Sequence, residues 1–525
     1  MSTATGPLAP PAPNKWLVTV AITVGTLMGT IDASIVNVAI PNIQAAFGVP
    51  ITTVTWIATG YLIALALVMP LTAWLSAVFG RKAVYQVSLL LFVAASVLAG
   101  MAPTLGVLIV ARVVQGLGAG VLGPVEQAIL RETFPPEEQG LAMGLYGVVV
   151  VLGPTLGPLL GGWLVTNYDW HWIFFINVPI GLAGSLMVAA VVHDPPYIKA
   201  RRVAVDAWGM LAMSVGLTAL LVVLEQGNRW DWFRSSLVWA LVIVAGVALL
   251  VFVLWELVGT ATPAVDLRIF ANRAFAAGCA GSFILGFILF SAILLQSLFL
   301  QELLGYTAFQ TGVTFLPRGL VTMAVSPVAG LLYQALGAHV LVAAGSLLTA
   351  WSLWLMSRWT LEVGMAQMLL PFVMLGLAMP LLFVSLAAAS LSRLDRRQLT
   401  NATGLLNLIR QLGASFGTAA SATLLERGIT IQDAHLLTHA TPGNPLFQGA
   451  LQHLTGLIIQ RSGSDAWTAE RRALGMLAGF ISRQAVTLSF DHVFQIVALA
   501  SLIMLLVLPL LPSRPPRGVG RDFVP

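Results

Sequence analysis

Residues 144–162 read GLYGVVVVLGPTLGPLLGG, with no charged side chain anywhere in the stretch. A helix on the surface of a soluble protein carries a polar face; one that is apolar all round belongs in a core or a bilayer. Gly153, Gly157 and Gly161 recur every four residues, so they share a face on which another backbone can approach closely. Pro154 and Pro158 each delete a helical hydrogen bond and favour a kink. Such a helix suits an interface between two halves that rock against each other, or an ordinary packing seam.

The rest of the chain repeats this character. Of its 525 residues 58% are hydrophobic and 9% are charged, against about 25% charged in soluble proteins. The mean hydropathy is +0.90. The chain reads as an all-α, polytopic membrane protein. Fourteen apolar segments are long enough to cross a bilayer: 16–38, 52–76, 84–102, 106–128, 141–164, 173–192, 208–224, 236–256, 275–299, 309–334, 339–357, 366–390, 402–424 and 488–511. They are called spans 1 to 14 below. An even number puts both ends on one side. With both ends cytoplasmic, short inner segments hold fifteen Lys and Arg against three outside, so the positive-inside rule places both termini in the cytoplasm. The opening MSTATGPLAPPAPNK is Pro-rich and lacks a signal-peptide pattern. The net charge of +5 is explained by topology, with no need of nucleic acid. The one cysteine, Cys279, excludes a disulfide framework. The histidines show no metal-ligand spacing, and no glycine loop with lysine marks a nucleotide site. No metal or cofactor is implied.

AWLSAVFGRKAVY after span 2 and GLLYQALGAHVLV after span 10 form a faint repeat, pairing Gly80 with Gly337. That fits two six-helix bundles with two extra central helices. The expected division is a cytoplasmic 1–15, an N-terminal bundle 16–192, a linker with two extra helices 193–274, a C-terminal bundle 275–511 and a cytoplasmic tail 512–525. The C-terminal bundle carries one long outer loop, about 426–487. In it SDAWTAERRALGMLAGFISRQA sets Ser464 and Asp465 as caps ahead of Trp467, Leu474, Leu477 and Ile481 at helical spacing. This is an amphipathic helix, either a lid on its own protein or a docking surface for a periplasmic partner.

Charge within spans is rare. A charged group at mid-bilayer costs at least about 2.5–3.5 kcal/mol, and such groups face a bundle interior or a wet cavity. Asp32 and Glu126 are the acids well inside spans; Arg112, Arg318 and Arg410 are the bases. Asp32 comes about six residues before the outer end of span 1 and Arg112 about six after that of span 4, so both lie about 9 Å deep. The two can meet, as a proton switch or as a static buried salt bridge. Glu126 follows Pro124 near the inner end of span 4. It is a second proton site, a recogniser of cationic substrate, or a side chain that snorkels to the interface. Arg318 and Arg410 lie beside small residues that allow close helix contact, which suggests structural roles.

These motifs together resemble the major facilitator superfamily, and within it the fourteen-span drug:proton antiporters of the EmrB/QacA type, EmrB-like multidrug export permeases most of all. The span 5 antiporter motif G-x8-G-x3-GP-xx-GG is matched by Gly144, Gly153, Gly157, Pro158, Gly161 and Gly162. IDASIVNVAIP resembles the span 1 signature, with Asp32, Asn37 and Pro41; Arg112, Gln115, Gly116, Gly118 and Ala119 match that of span 4. In the family this arginine is implicated in proton transfer. WHWIFFINVPIG, Trp170 to Gly181, is similar to EmrB-type pumps. The loop 2–3 pattern keeps Leu75, Gly80, Arg81 and Lys82 but has Ala73, Ala77 and Val78 where the family has Gly, Asp and Arg. That Asp helps a cytoplasmic latch in the family, so the latch here is weaker or differently built.

The resemblance implies an inner-membrane antiporter that exchanges protons for small hydrophobic drugs, by alternating access. For the EmrB type it also implies a periplasmic adaptor protein and an outer-membrane channel. The rivals are an exporter of one endogenous solute (fatty acid, siderophore or metabolite), a membrane-embedded enzyme, and a receptor or scaffold. An enzyme would need convergent acids and histidines at one depth, which the sequence lacks. A receptor would have no need of a buried Asp32.

Overall fold

The computed structural model describes residues 14–135, 138–194, 205–260, 262–441 and 443–512. The expected N-terminal segment up to residue 13, most of the linker after span 6 and the tail from 513 lie outside the described residues. Those that are described form helices and turns, with no strand among them.

Each of the fourteen apolar segments falls on a helix. Span 1 is Lys15–Phe47, span 3 Arg81–Gly100, span 4 Leu105–Thr133, span 5 Gln139–Asn167, span 6 Trp172–Val191 and span 7 Ala207–Gln226. Span 8 is Ser236–Gly259, span 9 Arg273–Leu303 and span 12 Met365–Leu391. Span 2 is bent by 59° between Thr52–Val68 and Thr72–Phe79. By length and apolarity, eleven described helices suffice to cross a membrane, or twelve with that bent pair. This is fewer than the fourteen read from sequence, for two physical reasons. Spans 10 and 11 run together in Ala308–Met356, broken only at Gly337. Span 13 lies in Leu399–Leu437, whose buried Asn401 and Asn407 and half-buried Arg410 make it more polar than the others.

Helix starts follow local chemistry. Asn14, Thr104, Asp206, Asn272 and Asp465 each accept a backbone N–H of the first turn, and Thr307 forms a capping box with Gln310. Gly80 and Gly337 justify the faint repeat. Their φ and ψ are 84° and 153°, and 80° and 174°. Only glycine adopts this region readily, and each residue turns one span into the next.

Packing repeats as well. Span 1 lies against 4, 5 and 6 as span 9 lies against 12, 13 and 14; spans 2 and 3 hold 4 as 10 and 11 hold 12. The two groups meet through span 5 on span 10 and span 13 on span 2. At the end that carries Arg81, Arg131 donates to the Leu391 carbonyl, and Gly140 and Gly330 pack backbone to backbone. Spans 7 and 8 pair with each other, and span 7 touches spans 2 and 13.

The long loop between spans 13 and 14 is mostly helix, extending beyond the one amphipathic stretch expected from the sequence. The span 13 helix continues to Leu437, a separate helix spans Pro445–Ser462, and the amphipathic stretch after Asp465 runs without a break into span 14. Asn444 caps the middle helix and Pro445 starts it. Leu446, Trp467 and Phe480 are exposed, whereas Ala469 and Ala473 are buried.

Candidate functional site

Asp32 is fully buried in the N-terminal bundle. Four helices converge on it. Arg112 of span 4 pairs with Oδ2. Gln115, one turn further along span 4, donates to Oδ1 at 3.0 Å, and Asn177 of span 6 donates to the same oxygen at 2.9 Å. Gln115 also donates to Ser96 Oγ of span 3 at 2.8 Å and accepts from Arg112 at 2.6 Å. The Arg112 Nε donates to the Ile57 carbonyl at 3.2 Å, and its guanidinium lies 4.2 Å from the Tyr61 ring centroid. Tyr61 in turn donates to the Gly29 carbonyl, one turn before Asp32, at 3.1 Å. The depth arithmetic thus brings two residues to one place. Asn177, Ser96 and Tyr61 were not foreseen; their signal was only a polar atom inside an apolar segment.

The chemistry of such a centre is narrow. A buried carboxylate is tolerable while a guanidinium and two amides satisfy it. Removing the guanidinium leaves an uncompensated buried charge, typically at a cost of about 3–5 kcal/mol, unless the carboxylate takes a proton.

Glu126 is also fully buried, which excludes the snorkelling alternative. Thr23 of span 1 donates to its Oε1 at 3.1 Å, and among the described residues its Oε2 has no hydrogen-bond partner. The neighbouring residue crosses to the other half: Asn407 of span 13 donates to Gln127 Oε1 at 2.8 Å. Asn407 Oδ1 accepts from Tyr146 of span 5 at 3.3 Å and from Arg410 at 2.5 Å. Arg410 sits 5.2 Å from the Phe383 ring, which packs 5.7 Å from that of Tyr146. Arg410 therefore belongs to a polar and aromatic group between the halves, beyond helix packing alone. Arg318 is buried elsewhere. It donates to Gln296 at 3.3 Å, and its Nε has no partner among the described residues. Asn37 is exposed, away from both groups.

The glycine motif divides into two faces, and this amends the expectation of one interface between halves. Added β-carbons on Gly153, Gly157 and Gly161 would strike Thr30, Ser34 and Ile35 of span 1, within the same half. Those on Gly144 and Gly162 would strike Ser326 and Phe309 of span 10, in the other half. Span 5, with Pro154 and Pro158 inside an unbroken helix, therefore ties the helix that carries Asp32 to the opposite bundle.

Gly80, Arg81 and Lys82 are held in a manner of their own. Arg81 pairs with Glu132 at the end of span 4. The Lys82 backbone N–H donates to Asp194 Oδ1 at 2.9 Å, and its Nζ to the Ala189 carbonyl at 2.7 Å. Asp194, just past span 6, supplies a carboxylate beside the loop whose own aspartate is replaced by Ala77. Glu225 was also missed, because it falls just past the apolar end of span 7. It accepts from Ser415 of span 13 at 3.2 Å.

Residues 22–418 match the family model described as Major Facilitator Superfamily. The chain is similar to the multidrug export protein EmrB of Haemophilus influenzae, 31% identical over 511 residues and 96% of each chain. It is 32% identical to the Escherichia coli K12 protein of that name over 506 residues, again 96% of each. The fatty acid resistance protein FarB of Neisseria gonorrhoeae is 32% identical over 510 residues, 96% of this chain and 97% of that protein. Among solved structures, the human organic anion transporter MFSD10 (TETRAN) superposes with a TM-score of 0.58 at 14% identity, covering 93% of this chain and all of that one.

Proposed function

We propose that this chain, which belongs to the Major Facilitator Superfamily, is a proton-driven exporter of hydrophobic drugs. The family transports its substrates and is not built for chemical transformation. The observation that carries the reading is Asp32, fully buried yet held by Arg112, Gln115 and Asn177. While Arg112 is in place the carboxylate stays charged. A shift of span 1 against span 4 parts the pair, and the carboxylate then takes a proton because a lone charge is intolerable there. Span 5 packs on span 1 and on span 10, so that shift is coupled to the rocking of the halves. Substrate lies between the halves, near Glu126, Tyr146, Phe383 and Arg410. The Arg81 end faces the cytoplasm, with both termini there by the charge rule, and the membrane is the inner membrane. The outer helical hairpin, with its exposed apolar side chains, meets a periplasmic adaptor that leads to an outer-membrane channel.

The test is transport in proteoliposomes under an imposed pH gradient. Asp32→Asn keeps the shape and loses the charge. It should fold and reach the membrane yet lose gradient-driven export; undiminished transport sinks the proposal. The relative named for fatty acid resistance favours a second reading, export of one endogenous amphiphile. A panel of fatty acids and drugs in the same vesicles separates the two.

A further inference from the structure

The two extra helices take no part in the chemistry above, yet span 7 stands in the cleft between spans 2 and 13, where the halves meet. Under the repeat this is the counterpart of the seam between spans 5 and 10. Toward the Arg81 end span 13 closes the cleft itself: a β-carbon on Gly404 would lie 2.6 Å from the Met69 carbonyl. Toward the other end, the last turn of span 7 and the loop after it fill the cleft, and their side chains alternate in direction.

Glu225 accepts from Ser415 of span 13, and the next residue, Gln226, donates to Thr59 Oγ1 of span 2 at 3.1 Å. Asn228 donates to Glu426 and accepts from Thr423 at 3.2 Å, both on the span 13 helix. The next residue, Arg229, donates to Thr55 Oγ1 and to the Thr52 carbonyl at 3.4 Å, on the span 2 side. Trp232 Nε1 then reaches Thr423 Oγ1 at 3.0 Å. The turn's backbone is unusual as well. Asp231 and Trp232 have φ of 55° and 48°, and they are the only non-glycine residues with positive φ among those described. Two such residues in a row persist only where the surroundings over-determine them. Gly227 makes room: a β-carbon there would sit 2.9 Å from the Trp232 ring.

We infer that this turn is a two-sided wedge that seals the outer half of the cleft between spans 2 and 13 against lipid. Hydrophobic substrate released between the halves is thereby delivered to water instead of dissolving back into the bilayer. The polar faces of the wedge suit this task, since unsatisfied groups open to hydrocarbon are too costly to leave exposed. The purpose of the wedge rests on the exporter reading; its geometry does not.

The experiment uses the full chain in liposomes, with Cys279→Ser removing the one native thiol and Ala419→Cys, buried one turn beyond Ser415 on span 13, placing a reporter under the wedge. The probe is an alkyl maleimide dissolved in the lipid. With the wedge intact, labelling is slow. Gln226→Ala with Asn228→Ala should raise the lipid-phase rate by at least about tenfold, since the buried Gln226–Thr59 bond and the half-buried Asn228–Thr423 bond are lost together. Labelling by a charged, water-soluble maleimide should change much less. Trp232→Phe, which keeps an aromatic ring but loses the indole N–H and part of the bulk, should act in the same direction by about threefold. It decides the matter if the double variant does not fold. Equal lipid-phase rates in wild type and in a folded variant overturn the wedge, as does fast lipid-phase labelling with the wedge intact. Labelling needs no pH gradient and no substrate, so a protein that proves not to be proton-driven leaves this result standing.

Discussion

Adding a single methyl group at Gly157 tests whether span 5 governs the position of Asp32. A β-carbon there would fall on the Ser34 hydroxyl, with Ser34 Cβ at 2.8 Å and the Ile35 nitrogen at 3.0 Å. Ordinary contact begins at 3.4 Å, and backbone cannot swing aside as a long side chain can. Span 1 must retreat by several tenths of an ångström. That retreat also breaks the 3.1 Å bond from Ser34 Oγ to the Gly153 carbonyl. Overpacking costs about 1–3 kcal/mol and the lost bond about 1 kcal/mol, offset by about 0.5–1 kcal/mol for alanine in a helix, so Gly157→Ala should cost about 1–3 kcal/mol net. Gly157→Leu should cost more. Asp32 lies two residues before Ser34, so transport should fall further than the loss of folded protein explains. Gly479→Ala is the control. Among the described residues nothing outside its own helix backbone would lie within 4 Å of a β-carbon there, and alanine in a helix gains about 0.5–1 kcal/mol over glycine. Thermal unfolding in detergent and gradient-driven transport are measured on both variants. If Gly157→Ala matches Gly479→Ala in both assays, span 5 does not press on span 1 and the coupling route is wrong.

Gly337→Ala and Gly80→Ala should each lower the melting temperature, by about 1–3 kcal/mol of backbone strain. Gly80→Ala should fare worse, because Asp194 Oδ2 stands 2.6 Å from the new carbon; an unchanged melting point in either argues against the repeat's shared backbone. Deleting the outer hairpin, about 430–485, should impair cellular resistance more than transport by purified protein in liposomes. Equal losses would make the hairpin a structural lid. The Thr468 backbone N–H holds the Asp465 carboxyl below the ordinary carboxylate range. The cap is therefore in place above that range and weakens as the pH falls through the lowered value. Protection from hydrogen exchange at Trp467–Ala469, taken relative to the intrinsic rate at each pH, should fall in acid, and Asp465→Asn should abolish that pH dependence.

How much of this was legible depends on what kind of neighbour a residue has. Asp32 and Arg112 could be paired from sequence because depth in a membrane is a coordinate that residue counting measures. Asn177 and Ser96 could not, since periodicity names a face and never the helix that faces it. The same limit explains the glycine motif: four-residue spacing announces close approach, but whether the visitor is span 1 or span 10 is decided by tertiary packing. Gly80 and Gly337 show the reverse. A weak textual echo turned out to be a shared backbone conformation, because only one residue type tolerates it. The helix Pro445–Ser462 escaped notice because Gln, His and Thr interrupt its apolar residues, so it forms no apolar run of span length.

The helix that ends at Leu437 has a mechanical consequence. It runs unbroken for 39 residues from Leu399, and near its start Thr403 and Asn407 grip the other half through Pro124 and Gln127. At about 1.5 Å per residue the far tip lies about 45–50 Å beyond that grip, so a tilt of about 5° there displaces the tip by about 4 Å. Such a rod is a lever arm: it turns the opening and closing of the bundle into a stroke beyond the bilayer. Anything fastened to the hairpin is moved once per cycle, and a molecule docked there would sense which way the transporter is facing without touching its substrate.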